Sequence, residues 1–404
     1  MQVLVSHFTG NPNSCAVAQA LAEAGSLEAF HTTLVVPVWL RRLTGAGARR
    51  TFPEVVEPFM KSHASRELLR LACRSVPGLR RLPLAGRLGR LDQVVRWFDG
   101  EVSRAVRQSH GVQAVYAYMD AAEHTFLAAR ERGLRTIYEL PTPYWRFTRD
   151  VVREEAGLKP EWAATLPVME DGSEAMLRRD RELQMADVVV VPSELVRESL
   201  KLAPSFRARV HVVPYGCPEP GAPTSPAART QCSLRVLYVG SLNQGKGLSY
   251  LAEAMSGLEG VAELTVIGSR TADKPCAALD AFLAAHRHRA GLSHAEVLAE
   301  MRQHDVLVLP TLYEGLALVL LEAMACGLAV VTTPHSGLEG VIQDGQEGFV
   351  VPVRSAEAIR ERLKQLAADE TMLQRMRSAA LSWSSEHSWQ RFREQIRQVV
   401  AEVS

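Results

Sequence analysis

Short apolar runs alternate with amphipathic stretches along most of the chain. The apolar runs are rich in Val, Ile and Leu and end at Gly, Pro or polar residues, which is typical of buried strands. Because strand-type and helix-type segments alternate, the pattern predicts an α/β fold with parallel sheets and right-handed crossovers. The predicted strands cover residues 2–6, 31–38, 111–118, 134–140, 187–192, 210–214, 234–239, 263–267, 305–310, 329–333 and 348–351. The main predicted helices cover 15–24, 121–132, 178–186, 247–255, 277–289, 294–302, 338–342, 355–376 and 383–404, whereas 150–174 reads as irregular with helical pieces.

A segment rich in Pro, Gly, Ala and Ser, residues 217–233, interrupts this alternation and has the composition of a linker. A chain of 404 residues is long enough for two domains. DVVVVP at 187–192 is echoed by DVLVLP at 305–310, as expected if two similar halves face each other. The sequence therefore predicts two parallel-sheet domains, 1–216 and 234–383, joined by this linker.

The composition is that of an ordinary globular protein, with 47% hydrophobic and 23% charged residues. A formal net charge of +1 excludes a globally basic nucleic-acid binder. The six cysteines are scattered without a Cys-x-x-Cys pair, which disfavours a zinc site or disulfide framework and favours a reducing compartment. The sequence starts directly with a strand-type run and has no stretch of 18 apolar residues. We therefore expect a cytoplasmic protein without a leader or a membrane span.

Residues 41–97 depart from this neutral balance. They contain thirteen Lys or Arg against four Asp or Glu, an excess of nine positive charges, and leucines interleave with the arginines. A basic amphipathic stretch can lie on an anionic membrane surface or collect an acidic acceptor. The stretch therefore predicts peripheral contact with the inner face of a membrane, and a solvated helical face explains it equally well.

The most informative segment is DVLVLPTLYEGLALVLLEAMACG, residues 305–327. It predicts a buried strand ending at Pro310, a tight loop, and an apolar helix followed by the glycine Gly327. Two carboxylates interrupt the segment, Glu314 in the loop and Glu322 in the second turn of the helix. A carboxylate in such apolar surroundings is either solvated at a cleft or satisfied by hydrogen-bond donors, and the paired hydroxyls of a sugar are such donors.

A second loop, GSLNQGKG at 240–247, directly follows a predicted strand and opens a helix. Its glycines let a ligand approach the backbone, and Lys246 together with the helix N-terminus attracts phosphate. The spacing fits neither the P-loop nor G-x-G-x-x-G, so a nicotinamide dinucleotide is disfavoured. A glycine-rich turn with a surface lysine is the alternative interpretation.

The predicted helix start near Gly315 lies between the two carboxylates. Glu322 is about 6–8 Å further along the helix axis, and Glu314 lies in the loop on the other side. A nucleotide sugar has the same layout, with a ribose diol, a diphosphate and hexose hydroxyls. Two carboxylates that only complement the helix dipole are the alternative. No Asp-x-Asp pair stands at a predicted strand end, so we expect Lys246 and the helix dipole to balance the diphosphate without a metal ion.

A rigid loop, Pro-Thr-Pro-Tyr-Trp at 141–145, follows another predicted strand. The carboxyl ends of strands in open α/β sheets face the ligand crevice. Tyr144 and Trp145 could therefore stack on a sugar ring, although hydrophobic plugs are at least as common at such places.

These motifs resemble those of the retaining GT-B glycosyltransferases of family 4. The resemblance covers most of the chain and is strongest from 235 to 353. Its specific pieces are VGSLNQGKG (239–247), LTVIGS (264–269), HAEVLAEMRQHDVLVLPTLYEGLALVLLEAMACG (294–327) and VVTTPHSGLEGVIQDGQEGFVVP (330–352). In the N-terminal half, SHFTGNPNS (6–14), DVVVVPSE (187–194) and VVPYG (212–216) look like the loops of the family. The resemblance implies a GT-B fold, in which two Rossmann-like domains face each other across a cleft and the final helix, 384–404, crosses back to the N-terminal domain.

The resemblance also implies roles for individual residues. Lys246 would hold the donor diphosphate, Glu322 would bind the ribose, and Glu314 would lie at the donor sugar near the reacting face. Lys246 and Glu314 are thus the catalytic candidates. The other donor-binding candidates are Gly10, Gly240, Ser241, Gly315, Leu316, Ala317 and Arg270.

Three positions depart from the family pattern. Ser241 stands where the family often has an arginine, and Arg270 is the candidate to replace it. Ala317 stands at the last position of a loop that is usually Glu-Gly-Phe-Gly. Tyr118-Met-Asp120 stands where the family often has a histidine after the fourth strand. The acceptor-side candidates are Tyr118, Asp120, Tyr144 and Trp145.

The implied activity is transfer of a hexose-type sugar from a UDP-, GDP- or ADP-sugar to a hydroxyl, with retention of anomeric configuration. The acceptor would be a glycan, a lipid-linked molecule or a small molecule, in polysaccharide or glycoconjugate biosynthesis. No metal, no tightly bound cofactor and no nucleic-acid partner are expected. The alternatives are a nucleotide-sugar-binding homologue without transferase activity and a GT-B epimerase or phosphorylase.

Overall fold

The computed structural model of the chain describes residues 1–35, 52–75, 90–169, 172–219, 233–271 and 274–403. Most of the predicted linker and two parts of the basic stretch, 41–51 and 76–89, lie outside the described residues. Within them, thirteen strands form two separate sheets in which every paired strand is parallel. The predicted α/β class with two Rossmann-like domains is confirmed, while the domain limits at 216 and 234 stay a proposal.

The N-terminal sheet consists of seven strands. In chain order they are β1 Val3–Ser6, β2 Leu27–Thr32, β3 Met60–Ser62, β4 Ala114–Tyr118, β5 Arg135–Glu139, β6 Val188–Val191 and β7 Arg209–Val212. Their order across the sheet is β3-β2-β1-β4-β5-β6-β7. The accompanying helices are α1 Pro12–Glu23, α2 Ser65–Ser75, α3 Leu91–Gln108, α4 Glu123–Glu131, α5 Trp145–Leu158, α6 Glu174–Met185 and α7 Glu194–Ser199.

The C-terminal sheet consists of six strands. They are β8 Leu234–Val239, β9 Ala262–Ile267, β10 Arg287–Arg289, β11 Val306–Leu309, β12 Ala329–Thr332 and β13 Gly348–Val350. Their order is β10-β9-β8-β11-β12-β13. The remaining helices are α8 Leu248–Met255, α9 Ala277–Ala285, α10 His294–Met301, α11 Leu318–Ala325, α12 Ala356–Ala368, α13 Glu370–Glu386 and α14 Trp389–Glu402.

Several predicted elements need correction. The second strand lies at Leu27–Thr32, so the predicted strand 31–38 does not continue through 33–35, and residues 36–38 lie outside the described residues. Helix α5 is one of the helical pieces expected within 150–174. The predicted helix 277–289 ends at Ala285 and is followed by a strand, and no helix covers 338–342. The predicted helix 355–376 is two helices, because Asp369 accepts a hydrogen bond from the backbone N–H of Met372 and caps a new helix.

The last helix joins the two domains. α14 packs against α1, and the guanidinium groups of Arg393 and Arg397 lie 3.4 and 3.3 Å from the carboxylate of Glu23. Where the chain leaves β7, a Cβ atom at Gly216 would lie 2.3 Å from the Cα atom of Trp389, so only glycine permits this crossing. The expected return of the C-terminal helix to the N-terminal domain is confirmed.

Candidate functional site

The two glycine-containing loops of the C-terminal domain lie at one position of the sheet. Loop 240–247 leaves the carboxyl end of β8, and loop 310–317 leaves the carboxyl end of β11, its neighbour. The chain order reverses between these two strands, because β9 and β10 lie on one side and β12 and β13 on the other. Ligands of open α/β sheets bind at such a switch point. The topology therefore brings together the two loops that sequence analysis selected.

Backbone contacts fix the two loops against each other. The carbonyl of Gly245 accepts hydrogen bonds from the N–H of Leu312 at 2.9 Å and from the hydroxyl of Thr311 at 3.1 Å. Gly247 has a φ of 73°, and a Cβ atom there would lie 1.9 Å from the carbonyl oxygen of Pro310. Glycine is thus required at this position by both conformation and space. The two loops form one preorganised unit.

Lys246 and Glu314 form an ion pair across this unit. Their side chains retain 21% and 22% exposure, so both remain accessible to a ligand. Burial lowers the pKa of the Lys246 ammonium to about 8, which leaves it mainly protonated at neutral pH. The ammonium can hold a phosphate oxygen, and the carboxylate can accept hydrogen bonds from sugar hydroxyls.

The start of α11 offers fewer free N–H groups than predicted. The N–H of Ala317, a donor-binding candidate, donates to the carbonyl of Ser336 at 3.0 Å and is therefore engaged within the protein. The N–H groups of Gly315 and Leu316 donate to no acceptor within the described residues. These two remain the backbone donors that an anion at the loop can use.

Glu322 lies in the second turn of α11, as predicted. One carboxylate oxygen is 2.9 Å from Nε2 of His294, which sequence reasoning missed. Burial raises the pKa of Glu322, and the neighbouring imidazole partly offsets this. The Ser293–Glu296 capping box would have placed His294 at a helix start, but nothing in the sequence indicated contact with Glu322. A ribose at Glu322 would share the carboxylate with this imidazole.

The remaining donor candidates of the C-terminal domain lie around the first loop. Ser241 is exposed, and its carbonyl accepts a hydrogen bond from the phenol of Tyr238. Gly240 lies against the same phenol. Arg270 is beside the loop through a backbone bridge to Leu242, but its guanidinium pairs with Asp280. Arg270 therefore has to leave Asp280 before it could replace the arginine that the family has at position 241.

The loop after β1, which contains Gly10, is held by contacts with the aromatic rings around it. Gly10 has a φ of 67°, and a Cβ atom there would lie 2.6 Å from the ring of Phe52. Its N–H donates to Nδ1 of His7 at 2.8 Å. The ring of His7 is buried edge-on against Tyr118, with 4.6 Å between centroids. Gly10 thus lies at the carboxyl edge of the N-terminal sheet, under the ring of Phe52.

The acceptor-side candidates Tyr118 and Asp120 differ in accessibility. Tyr118 is 2% exposed and belongs to the core, so a direct role as an acceptor ligand has no support in the structure. Asp120 follows β4 with a φ of 77°, and its carboxylate accepts two hydrogen bonds from Arg179, at 2.7 and 2.9 Å. Its N–H donates to Glu182 at 2.9 Å. Asp120 is therefore held rigidly at the strand end.

The aromatic pair after β5 also belongs to the core. Tyr144 and Trp145 are 2% and 5% exposed, and both donate hydrogen bonds to the carboxylate of Asp180. Arg146 covers the ring of Trp145 at 4.4 Å and pairs with the same carboxylate at 2.7 Å. The structure corrects the sugar-stacking interpretation, because neither ring presents an open face.

The loops of the two domains touch at Gly315. Its carbonyl accepts a hydrogen bond from Ser193 at 2.5 Å, and a Cβ atom there would lie 1.8 Å from the carbonyl oxygen of Pro141. The rings of Phe147 and His335 pack across the same boundary at 5.4 Å. The close approach of the two loops requires a glycine beside Glu314.

The described residues contain neither a metal-binding cluster nor a membrane-spanning helix. No cluster of three or more His, Cys, Asp or Glu side chains there could hold a metal ion. No helix there is long and apolar enough to cross a membrane.

Two facing parallel-sheet domains, a charged loop pair at a switch point and a returning C-terminal helix define the GT-B fold. Sucrose-phosphate synthase from Thermosynechococcus elongatus superposes with a TM-score of 0.68 at 16% identity, covering 100% of this chain and 99% of that one. Anabaena HepE in complex with UDP-glucose superposes with a TM-score of 0.65 at 13% identity over 100% of both chains. At these identities the likeness shows the fold.

Residues 230–383 match the family described as glycosyl transferases group 1. The match covers less than half of the chain and lies in its C-terminal domain, which is similar to this family. It is 26% identical over 137 residues to the N,N'-diacetylbacillosaminyl-diphospho-undecaprenol alpha-1,3-N-acetylgalactosaminyltransferase of Campylobacter jejuni, covering 34% of this chain and 36% of that one. It is 30% identical over 204 residues to the D-inositol 3-phosphate glycosyltransferase of Xylanimonas cellulosilytica, covering 45% and 48%. The matched region thus spans less than half the length of either relative.

Proposed function

We propose that the protein is a retaining glycosyltransferase that moves a hexose-type sugar from a nucleotide-diphosphate sugar to an acceptor hydroxyl. The observation that carries this proposal is the accessible pair of Lys246 and Glu314 at the switch point, next to the N–H groups of Gly315 and Leu316. A cation and two backbone donors suit a diphosphate, and the carboxylate suits the sugar next to it. The neighbouring structures that contain UDP and UDP-glucose support a nucleotide-sugar donor.

The proposed roles follow from these positions. Lys246 and the two N–H groups stabilise the negative charge that develops on the departing diphosphate. Glu314 accepts hydrogen bonds from the donor sugar and orients its anomeric carbon, and Glu322 with His294 receives the ribose. The acceptor oxygen forms its bond on the face from which the diphosphate leaves, and a donor phosphate oxygen takes the acceptor proton. The contact of Gly315 with Pro141 and Ser193 holds the two domains together beside the site.

A panel of UDP-, GDP- and ADP-sugars tests this proposal. Purified protein is assayed for transfer to glycan and lipid acceptors and for slow hydrolysis, without added metal and with it. Lys246→Ala should lower kcat/KM by about 10²- to 10³-fold with an unchanged fold, because one stabilising charge is lost. The matched control is Lys274→Ala, at an exposed lysine of the same domain.

The outcomes separate the alternatives. Full turnover by Lys246→Ala would refute the site. Nucleotide-sugar binding without transfer or hydrolysis would favour a non-catalytic homologue, and interconversion of the free sugar nucleotides would favour an epimerase.

We also propose peripheral contact with the anionic inner face of a membrane through the basic stretch. The supporting observation is α2, where Leu68 is 52% exposed on a helix that also carries Arg66 and Arg70. Sedimentation with phosphatidylglycerol vesicles at low salt should exceed sedimentation with phosphatidylcholine vesicles. Equal sedimentation with both would leave the solvated face as the explanation.

A further inference from the structure

One segment of the N-terminal half packs on the C-terminal domain. α5 starts beside β5, but the 3₁₀ turn that follows it, Pro160–Thr165, lies against α9 of the other domain. The ring of Trp162 packs on Phe282 with 6.2 Å between centroids, and Lys159 pairs with Glu253. The end of α5 is thus an interdomain contact.

A fully buried carboxylate, Glu155, lies at the centre of this contact. One oxygen accepts hydrogen bonds from the side-chain amide of Gln244 at 2.7 Å and from the phenol of Tyr250 at 2.9 Å. The other oxygen accepts from Arg354 at 2.8 Å. Arg354 has a φ of 65°, which is uncommon for a residue with a side chain and is held by this pairing. All three partners belong to the C-terminal domain.

Gln244 connects Glu155 to the proposed donor site. It begins the 3₁₀ turn Gln244–Lys246 and is itself fully buried. Its backbone N–H donates to the hydroxyl of Thr165 at 2.9 Å, and its side chain bridges to Ser249. The N-terminal half thus holds both the backbone and the side chain of a residue two positions before Lys246.

We propose that Glu155 is a positioning residue that, through Gln244, sets the conformation of the Lys246 loop and thereby the affinity for the donor diphosphate. The inference rests on the proposed function, because it assigns the diphosphate to Lys246. Glu155 touches no donor atom and acts only through the turn. An amide left without its buried acceptor has to move to find water, and the turn that carries Lys246 moves with it.

The test measures binding of UDP, GDP and ADP and of the corresponding monophosphates by calorimetry. Glu155→Ala should weaken binding of the preferred nucleoside diphosphate by about 10- to 100-fold, the range expected for lost hydrogen bonds to a charged group. Binding of the monophosphate should change little, because it lacks the second phosphate that Lys246 holds. Glu155→Gln keeps an acceptor for Gln244 and should fall in between.

Lys159→Ala is the matched control. It removes an interdomain ion pair and the contact of the ammonium with the ring of Tyr250, 5.1 Å away, but leaves the hydrogen bonds between Glu155 and Gln244 in place, so diphosphate binding should stay at the wild-type level. If Glu155→Ala does not fold, Glu155→Gln carries the comparison with this control.

The outcomes distinguish a failure of the proposed function from a failure of the inference about Glu155. Wild-type protein that binds no nucleoside diphosphate would refute the proposed function and the inference with it. Wild-type protein that binds, with Glu155 variants that bind equally well, would refute the inference alone. Equal losses for mono- and diphosphates, or the same loss in Lys159→Ala, would show a merely structural contact and would also refute it.

Discussion

The two sheets carry different chemistry at equivalent places. At the C-terminal switch point, between β8 and β11, Lys246 and Glu314 are charged and accessible. At the N-terminal switch point, between β1 and β4, His7 and Tyr118 pack edge to face in the interior. Burial lowers the pKa of His7 to about 3, so this imidazole is neutral at physiological pH. The C-terminal switch point therefore exposes two charged side chains, whereas the N-terminal switch point is filled by two packed rings.

This difference indicates that residues for catalysis and residues for stability lie in different domains. The C-terminal loops are fixed by contacts between their own backbones and by the contacts of Gln244 with Thr165 and Glu155, so a ligand meets a preformed site. The strand ends of the N-terminal sheet are closed by the rings of His7 and Tyr118, and the carboxylate of Asp120 beside them is paired with Arg179. The comparison predicts strong catalytic effects from substitutions on one side and stability effects on the other.

After Lys246→Ala, the largest expected effect is at Glu314. Glu314→Gln should lower kcat by about 10²-fold at saturating donor, because the charge that faces Lys246 and orients the sugar is lost. Glu322→Gln should raise the donor KM by about tenfold with kcat nearly kept, since ribose binding contributes equally to ground and transition states. Initial rates over a donor series measure both. A KM effect from Glu314→Gln together with a kcat effect from Glu322→Gln would mean that Glu322 orients the sugar and Glu314 binds the ribose.

A smaller effect is expected on the N-terminal side. Tyr144→Phe removes a hydrogen bond to the carboxylate of Asp180 and should lower the free energy of unfolding by about 1.5–3 kcal/mol. The acceptor KM should not change, because the ring is buried. Urea unfolding and acceptor titrations are the measurements. A raised acceptor KM at unchanged stability would restore the sugar-stacking interpretation.

The smallest effect is a pH dependence of donor binding. The pKa of Lys246 is lowered to about 8, and only its protonated form attracts phosphate. Affinity for the nucleoside diphosphate should therefore be full below pH 7 and fall by about tenfold by pH 9. Lys246→Arg, which stays protonated, should show no such decline. Affinity that rises with pH in the wild type would contradict the assignment.

The sequence was most informative where local constraints decide the structure. The glycines near Lys246 and Glu314 allow close backbone contacts, and such requirements leave a visible pattern. The N–H of Ala317 donates to Ser336 of a later turn, and the sequence did not indicate this tertiary contact. The break at Asp369 left a readable signal, an N-cap residue inside a long amphipathic stretch.

Glu155 shows why the contacts between the two domains could not be predicted from the sequence. In the sequence it is one of several charges in a stretch that reads as irregular, with no sign that it is fully buried. Its partners Gln244, Tyr250 and Arg354 come from two distant regions of the chain. A buried charge is stable only with such partners, and a single sequence does not reveal tertiary pairing.

The crossing segments have a consequence for recombination between related genes. α14 covers α1 of the first domain, and Pro160–Thr165 covers Phe282 of the second, so each domain is completed by a piece from the other half. A chimaera joined at residues 217–233 would combine the C-terminal domain of one protein with the N-terminal half of another. That C-terminal domain would then lack the Trp162 and Glu155 against which it normally packs. A productive exchange of modules therefore has to carry residues 155–165 with the C-terminal half and return α14 to its original partner.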